Sequence, residues 1–220
     1  MKREIVLTAD GSHTLHHAEL NEHYHSIHGA VQESKHVFIG AGLSYCLGRM
    51  DATPAILEIG FGTGLNALLT LQEAGKLQRP VAYDSLEAYP LESEVTGKLN
   101  YGHLLGDQGT FCRLHECPWD RSLAITPFFT LAKIRSTVQE FIPSRAYDLV
   151  YFDAFAPSRQ PEMWTTAVFE KLFGSMKKGA VLVTYCAQGN VKRTLRSAGF
   201  ELQALKGPPC KREMTRAIKP

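Results

Sequence analysis

The chain has 220 residues and a formal net charge of +2, and 44% of its residues are hydrophobic and 21% charged. This composition is that of a globular domain with a substantial core, and it argues against intrinsic disorder. The five cysteines are odd in number and form no C-x-x-C pair, which favours reduced thiols over a disulfide framework or a zinc ribbon. The N-terminus has no signal-peptide core and no apolar run spans a bilayer, so we expect a cytoplasmic protein without membrane contact.

Residues 1–50 are expected to form an N-terminal extension ahead of a domain at residues 51–220. The extension is rich in histidine, and the spacing His23-x-His25-x-x-His28 is compatible with a metal site. No Cys or H-E-x-x-H spacing completes such a site, so we expect no metal. Residues 37–39, followed by Gly40-Ala41-Gly42, predict a short strand and a turn.

The most informative stretch runs from Ala55 to Asn66. The apolar residues 56–59 predict a core strand, three alternate glycines predict a tight turn, and residues 65–71 predict the helix that follows. Glycine permits positive φ and lets backbone N–H groups approach a ligand near a helix N-terminus, so the turn favours a nucleotide-like cofactor. The dinucleotide fingerprint is G-x-G-x-x-G, whereas this chain has Glu58-x-Gly60-x-Gly62-x-Gly64. A glycine turn without a ligand remains the alternative.

A second parallel strand is predicted at residues 81–87. It ends on Glu87, and a carboxylate at this point accepts the ribose hydroxyls of a nucleotide in many α/β folds. A surface glutamate at a strand end is the alternative. We expect a helix at residues 91–105, irregular structure at residues 112–126 and a third strand at residues 128–134.

Residues 147–153 form a nearly continuous apolar run that ends on Asp153-Ala154-Phe155-Ala156-Pro157. Such a run is typical of a strand that is buried on both faces of a parallel sheet, and its carboxyl end lies beside the ligand crevice. Asp153 is therefore a candidate functional residue, with a turn-capping role as the alternative. After it we expect a helix at 163–176 ended by Gly179, a strand at 180–186, a basic helix at 190–198, and an antiparallel pair at 200–205 and 213–219.

The small net charge hides an asymmetry. Residues 171–220 contain 11 Lys and Arg against 2 Asp and Glu, a charge of +9, so the rest of the chain carries −7. A basic C-terminal quarter suits a polyanion-binding surface, although a solvated basic face has the same composition.

In combination, these features resemble the class I S-adenosylmethionine (SAM) methyltransferases. More narrowly, the chain resembles the methyltransferase half of the bifunctional tRNA 5-methylaminomethyl-2-thiouridine biosynthesis enzymes. The motifs that carry this resemblance are Gly60-Phe61-Gly62-Thr63-Gly64-Leu65-Asn66, Glu87 with Tyr89-Pro90-Leu91, Asp153-Ala154-Phe155-Ala156-Pro157, Met163-Trp164-Thr165 and Lys211-Arg212-Glu213-Met214. The extension also matches, through Tyr24-His25-Ser26 and Gln32-Glu33-Ser34-Lys35-His36-Val37-Phe38.

The resemblance implies a Rossmann-like α/β fold, with a mostly parallel seven-stranded sheet, a terminal antiparallel hairpin and the N-terminal extension over the cofactor and substrate mouth. It implies that SAM donates a methyl group to the amine of 5-aminomethyl-(2-thio)uridine at the tRNA wobble position. The expected cofactor-binding residues are Glu58, Gly60, Phe61, Gly62, Gly64, Asn66, Glu87 and Asp153. The expected tRNA-binding residues are Lys192, Arg193, Arg196, Lys211 and Arg212.

Two departures from the family pattern stand out. The bifunctional enzymes continue into a flavin-dependent oxidase, whereas this sequence stops at Pro220, so no flavin is expected. Ile134-Arg135-Ser136-Thr137 occupies the place where related enzymes commonly have Gly-Asp to hold the adenine amino group.

Methyl transfer to an amine requires alignment and a neutral nucleophile. Asp153 is the expected catalytic residue, because a carboxylate there can orient the amine, take up its proton and stabilise the ammonium product. The backbone carbonyls of residues 154–156 are expected to accept from the same nitrogen. Two alternatives remain at this point: an aminopropyltransferase of the spermidine-synthase kind, and a non-catalytic RNA-binding protein.

Overall fold

Residues 3–50 fold as a small sheet and a long helical segment. The structure, a computed structural model, describes residues 3–220. Its first three strands form an antiparallel sheet: β1 (Arg3–Leu7), β2 (His13–His17) and β3 (Glu22–His23). They are followed by the helix α1 (Ala30–Ser34), a π-helical stretch at Lys35–Ser44 and the short helix α2 (Tyr45–Leu47).

The rest of the chain builds one eight-stranded sheet and the helices around it. The strands are β4 (Ala55–Ile59), β5 (Val81–Leu86), β6 (Arg121–Thr126), β7 (Phe129–Ile134), β8 (Tyr147–Phe152), β9 (Met176–Thr184), β10 (Glu201–Lys206) and β11 (Glu213–Ile218). Their order is β10-β11-β9-β8-β4-β5-β7-β6. The five strands from β9 to β7 are parallel, and β11, β10 and β6 run antiparallel to their neighbours.

The helices cover both faces of this sheet. They are α3 (Leu65–Leu77), α4 (Ser93–Thr96), α5 (Tyr101–Leu104), α6 (Gln108–Glu116), α7 (Thr166–Ser175) and α8 (Gly189–Ser197), with a 3₁₀ turn at Pro161–Trp164. Alternate residues of β4 enter different clusters of buried side chains, Ile56 on one face and Leu57 and Ile59 on the other. This period of two, with both faces apolar, is the pattern of a central parallel strand.

The predicted mostly parallel sheet with a terminal antiparallel hairpin is confirmed, but it has eight strands rather than seven. The additional strand, β6, lies in the stretch that was expected to be irregular. That stretch also contains most of α6, whose N-terminus is capped by the Asp107 side chain accepting from Thr110 N. The helix expected at residues 91–105 is instead the two short helices α4 and α5.

The strand and turn expected at residues 37–42 were wrong, because this segment is helical. Gly42 serves close packing rather than a turn. A Cβ on Gly42 would lie 3.0 Å from Val183 and 3.1 Å from Tyr151, so only glycine lets this helix rest on β8 and β9. Gly179 was also misassigned as a helix stop: it lies inside β9 with φ +77°, near an irregularity in the pairing with β8.

Two further observations concern the cysteines and the helices. All five cysteines are free thiols. Over residues 3–220, no helix is both long enough and apolar enough to cross a membrane.

Candidate active site

A cavity of about 620 Å³ opens at the carboxyl edge of the parallel strands. The glycine turn after β4, the end of β5, the loop after β7 and the end of β8 contribute to its wall. The N-terminal extension contributes too, through Arg3, His17, Tyr24 and His25. The cavity therefore lies where the strand order reverses around β4, which is where open α/β sheets bind their ligands.

The glycine turn has the conformation that its sequence predicts. Gly60, Gly62 and Gly64 have φ of +92°, +48° and +73°. Gly60 and Phe61 donate backbone hydrogen bonds to Leu86 O, which ties the turn to the end of β5. A Cβ on Gly62 would lie 3.3 Å from the Tyr24 ring. The turn is thus fixed between β5 and the extension, with its backbone facing the cavity.

Glu87 lies in the cavity wall and is held by the same turn. Its Oε2 accepts from Gly62 N at 3.0 Å and its Oε1 accepts from Tyr89 N at 2.9 Å. An ionised carboxylate has about four acceptor positions, so each oxygen keeps capacity for another donor. Glu87 is therefore oriented to accept two hydroxyl groups from a ligand in the cavity.

Asp153 follows β8 at the floor of the cavity, with its side chain 10% exposed. Its Oδ2 accepts from Asn66 Nδ2 at 2.9 Å. Burial raises the pKa of Asp153 to about 7 and the Glu33 carboxylate adds to the rise, while the Asn66 hydrogen bond and the Lys211 ammonium oppose it. A carboxyl group with a pKa near neutrality in a cleft is suited to proton transfer.

His25 is the group from the extension that faces Asp153, with Nδ1 4.0 Å from Asp153 Oδ2. Its Nε2 is hydrogen-bonded to Thr63 Oγ1 at 2.8 Å, so the glycine turn orients the ring. Burial lowers the pKa of His25 to about 4, which keeps the imidazole neutral at physiological pH. In the sequence, this histidine belongs to a possible metal pattern and to the Tyr24-His25-Ser26 motif of the family resemblance. No cluster of His, Cys, Asp or Glu side chains over residues 3–220 has metal-binding geometry.

The backbone carbonyls after Asp153 already accept hydrogen bonds within the protein. Ala154 O accepts from Tyr185 Oη at 2.9 Å, Phe155 O accepts from Trp164 Nε1 at 2.8 Å, and Ala156 O accepts from the backbone of Arg159. A carbonyl oxygen has two lone pairs, so one further donor remains possible at each. These bonds fix the direction of the loop after Asp153. The bond from Trp164 explains its place in the Met163-Trp164-Thr165 motif.

Most of the expected cofactor-binding residues line the cavity: Gly60, Phe61, Gly62, Asn66, Glu87 and Asp153. The other two do not. Gly64 is the N-cap of α3, and Glu58 is completely buried inside β4. The sequence missed Tyr24, Thr137, Val138 and Met163, which also line the cavity. The Met163-Trp164-Thr165 motif was a signal for the last of these.

The expected tRNA-binding residues fall into two groups. Lys192 Nζ lies 2.7 Å from Glu213 Oε2, and Lys211 Nζ lies 2.6 Å from Glu33 Oε1 and 4.2 Å from the centre of the Tyr185 ring. Arg193, Arg196 and Arg212 are exposed. The two lysines are thus engaged within the fold, and the three arginines point to solvent.

The chain is similar in sequence and in fold to known methyltransferases, which agrees with a cavity that suits a nucleotide-like cofactor. The family profile of an S-adenosyl-L-methionine-dependent methyltransferase matches residues 125–220. The tRNA 5-methylaminomethyl-2-thiouridine biosynthesis bifunctional protein MnmC of Cupriavidus metallidurans is 33% identical, over 96% of this chain and 33% of its own. The crystal structure of MNMC2 from Aquifex aeolicus matches with a TM-score of 0.79 at 25% identity, over 98% of this chain and 70% of that one.

The chain has the fold of the class I SAM-dependent methyltransferases. It resembles the methyltransferase half of the MnmC proteins and spans about a third of the length of the curated relatives it matches. The sugar N-methyltransferase KedS8 of a Streptoalloteichus species has a TM-score of 0.51 at 13% identity, over 86% of this chain and 87% of its own, a likeness of fold alone. The cavity suits SAM, because Gly62 leaves its backbone open and Glu87 keeps free acceptor positions beside it.

Proposed function

We propose that this protein transfers a methyl group from SAM to the amine of 5-aminomethyl-(2-thio)uridine at the wobble position of tRNA. The observation that carries the proposal is the position of Asp153, a buried carboxyl group in the same cavity as the glycine turn. The similarity to MnmC proteins over 96% of the chain supports the choice of substrate. Because tRNA is modified where it is used, a cytoplasmic location follows from this proposal.

The glycine turn would hold the cofactor, and the Glu87 carboxylate would accept hydrogen bonds from its ribose hydroxyls. Thr137 and Val138, after β7, line the cavity and would contact the adenine in place of the absent Gly-Asp pair. When bound, SAM supplies an electrophilic methyl group on a sulfonium. The protein's part is to exclude water and to align the amine with that methyl group.

Asp153 is the proton acceptor in this proposal. An aminomethyl group is mostly protonated in water, so one proton must leave before its nitrogen can attack. The Asp153 carboxylate would take that proton and become the carboxylic acid. The neutral amine would then attack the methyl carbon of SAM, and the carbon–sulfur bond would break, giving a methylammonium product and S-adenosylhomocysteine as the leaving group. With its pKa raised to about 7, the carboxyl group is partly ionised at neutral pH and holds the proton it gains.

The extension and the basic C-terminal quarter are proposed to serve tRNA binding. Tyr24 and His25 of the extension line the same cavity as the glycine turn, which supports a position for the extension at the mouth of the domain at residues 51–220. Arg193, Arg196 and Arg212 are exposed cations that can contact phosphates. Lys192 and Lys211 have the same charge, but their ion pairs with Glu213 and Glu33 assign them to holding the hairpin in place.

The test is nucleoside analysis of tRNA before and after incubation with the purified protein and SAM. We expect 5-aminomethyl-2-thiouridine to be consumed and its methylamino product to appear. Decarboxylated SAM in a parallel reaction identifies an aminopropyltransferase, and tRNA binding without SAM affinity identifies an RNA-binding protein. Either result would overturn the proposal.

A further inference from the structure

Glu58 is the acidic residue before the glycine turn, and it is completely buried, with 0% of its surface exposed. It lies inside β4 between Ser85 of β5 and Tyr151 of β8. Ser85 Oγ donates to Glu58 Oε2 at 2.6 Å. The other carboxyl oxygen, Oε1, is buried and has no hydrogen-bond partner. This carboxyl group cannot reach a ligand in the cavity, so it requires a different explanation.

Three of the buried polar atoms without a partner in residues 3–220 belong to residues of this region: Glu58 Oε1, Asn66 Oδ1 and Tyr83 Oη. Asn66 and Tyr83 both act on Glu58, and their hydrogen bonds to the charged form lower its pKa, against the rise caused by burial. An ionised carboxylate and an amide oxygen both only accept hydrogen bonds, so Glu58 in its charged form leaves Asn66 Oδ1 without a donor. A proton on Glu58 Oε1 supplies the missing donor. Tyr83 can then donate to or accept from the same group.

The charges around Glu58 also favour a proton on its carboxyl group. The titratable or polar groups that face it are Ser85 and Tyr83 on β5, Tyr151 on β8, Asp153 just after β8, and Asn66 on α3. None of these is a cation, and a buried carboxylate without a cation costs several kcal/mol. Burial raises the pKa of Glu58 to about 8, and the Asp153 carboxylate contributes to the rise.

We propose that Glu58 is held as the neutral carboxylic acid and is a positioning residue for Asp153, acting through Asn66. The Glu58 proton is donated to Asn66 Oδ1, which fixes the amide so that Nδ2 donates to Asp153 Oδ2 at 2.9 Å. One oxygen of Asp153 is thereby occupied, and the other is left for the amine. This role rests on the proposed function of Asp153, whereas the protonation of Glu58 does not.

The first test reads the protonation state without any substrate. Infrared difference spectra of wild type minus Glu58→Gln should contain the C=O band of a protonated carboxyl group at neutral pH, and the band should disappear with a midpoint near pH 8. Stability gives a second readout. A folded-state pKa above the unfolded value of 4.5 means that wild type loses stability as pH rises from about 4.5 to about 8, and the glutamine variant should lose less. A carboxylate band at neutral pH would overturn the proposal.

The second test uses methyl transfer. Gln keeps an acceptor for Ser85 and a donor for Asn66, whereas Ala keeps neither, so Glu58→Ala should lose about 10²-fold or more in kcat and Glu58→Gln should restore most of it. The matched control is Glu87→Gln, because Glu87 lines the cavity and its charge is needed there; this variant should lose SAM affinity. If Glu58→Gln is as inactive as Glu58→Ala, the charge is required and the proposal fails. If wild type has the protonated band but methylates no tRNA, the proposed function fails and the neutral Glu58 stands.

Discussion

Gly62 is the residue at which the site is most sensitive to a single side chain. Its φ is +48°, and a Cβ would lie 3.3 Å from the Tyr24 ring on the cavity side. Valine adds a branched Cβ in a conformation that L-residues avoid, so Gly62→Val should abolish SAM binding, as measured by isothermal titration calorimetry.

The control for this prediction is Gly75→Val. Gly75 lies in α3, a Cβ there meets nothing within 4 Å, and its backbone needs no positive φ. This variant should fold and bind SAM as wild type does. SAM affinity that is unchanged in a folded Gly62→Val protein would remove the glycine turn from the cofactor site.

His25 gives a prediction about stability and pH. Burial lowers its pKa to about 4 from an ordinary 6.5, so below pH 6.5 the unfolded chain binds a proton that the folded chain does not. The free energy of unfolding should therefore fall as pH decreases from 6.5 to 4. In His25→Gln this fall should be shallower in urea titrations. Parallel curves for His25→Gln and wild type would mean that His25 is protonated in the folded protein.

Among the elements of the fold, the sequence predicted the parallel strands best. β4, β5, β7 and β8 are apolar runs that end at chemically distinctive residues, so their limits could be placed within one or two positions. The helical segment at residues 30–47 could not be predicted in this way. Gly42 serves packing against β8 and β9, and in the sequence a glycine needed for packing cannot be told from a glycine needed for a turn.

A site residue could be predicted from the sequence where all its neighbours in the site belong to one sequence pattern. Asp153, Glu87 and the glycines were found because they follow strands of one parallel sheet. His25 and Tyr24 were not found, since their place in the cavity depends on how the extension folds back over the turn, which no local pattern encodes. Glu58 was assigned to the cofactor because the motif includes it, but the period of two in β4 directs its side chain into the core.

The contact between two elements, the extension and the terminal hairpin, gives a prediction about the pH dependence of methyl transfer. Glu33, in α1, pairs with Lys211 in the connection between β10 and β11, and the two act on Asp153 with opposite sign. If methyl transfer requires ionised Asp153, Glu33→Gln should lower the pKa of Asp153 and move the acidic limb of the kcat profile to lower pH. Lys211→Met should move that limb to higher pH.

Lys192→Met is the matched control for this pair of variants. It removes the other ion pair of the hairpin, with Glu213, and Lys192 does not contribute to the pKa of Asp153. Its acidic limb should coincide with that of wild type. Shifts of the same sign in Glu33→Gln and Lys211→Met would indicate a general loosening of the hairpin, and would contradict an electrostatic effect on Asp153.

Over the whole molecule, the +9 charge of residues 171–220 is only partly available to a polyanion. Lys177, Lys192 and Lys211 form ion pairs, and Arg216 is buried against Tyr45 and Ala41 O. Lys171 and Lys219 donate to backbone carbonyls. More than half of the basic residues in this quarter therefore hold the fold together, and the charge of the sequence overstates the charge offered to a partner.

The tRNA affinity should follow exposed charge rather than total charge. Arg193, Arg196 and Arg212 are exposed cations, so the Arg193→Ala, Arg196→Ala and Arg212→Ala triple variant should bind tRNA more weakly and flatten the salt dependence, with a slope change of about one per lost phosphate contact. Lys192→Ala also removes a positive charge, but that charge is already paired with Glu213, so its slope should stay near that of wild type. SAM affinity should be unchanged in both proteins, because these residues lie outside the cavity. The measurement is tRNA binding at a series of salt concentrations, and equal slopes for the triple variant and wild type would place the tRNA contacts on another face of the protein.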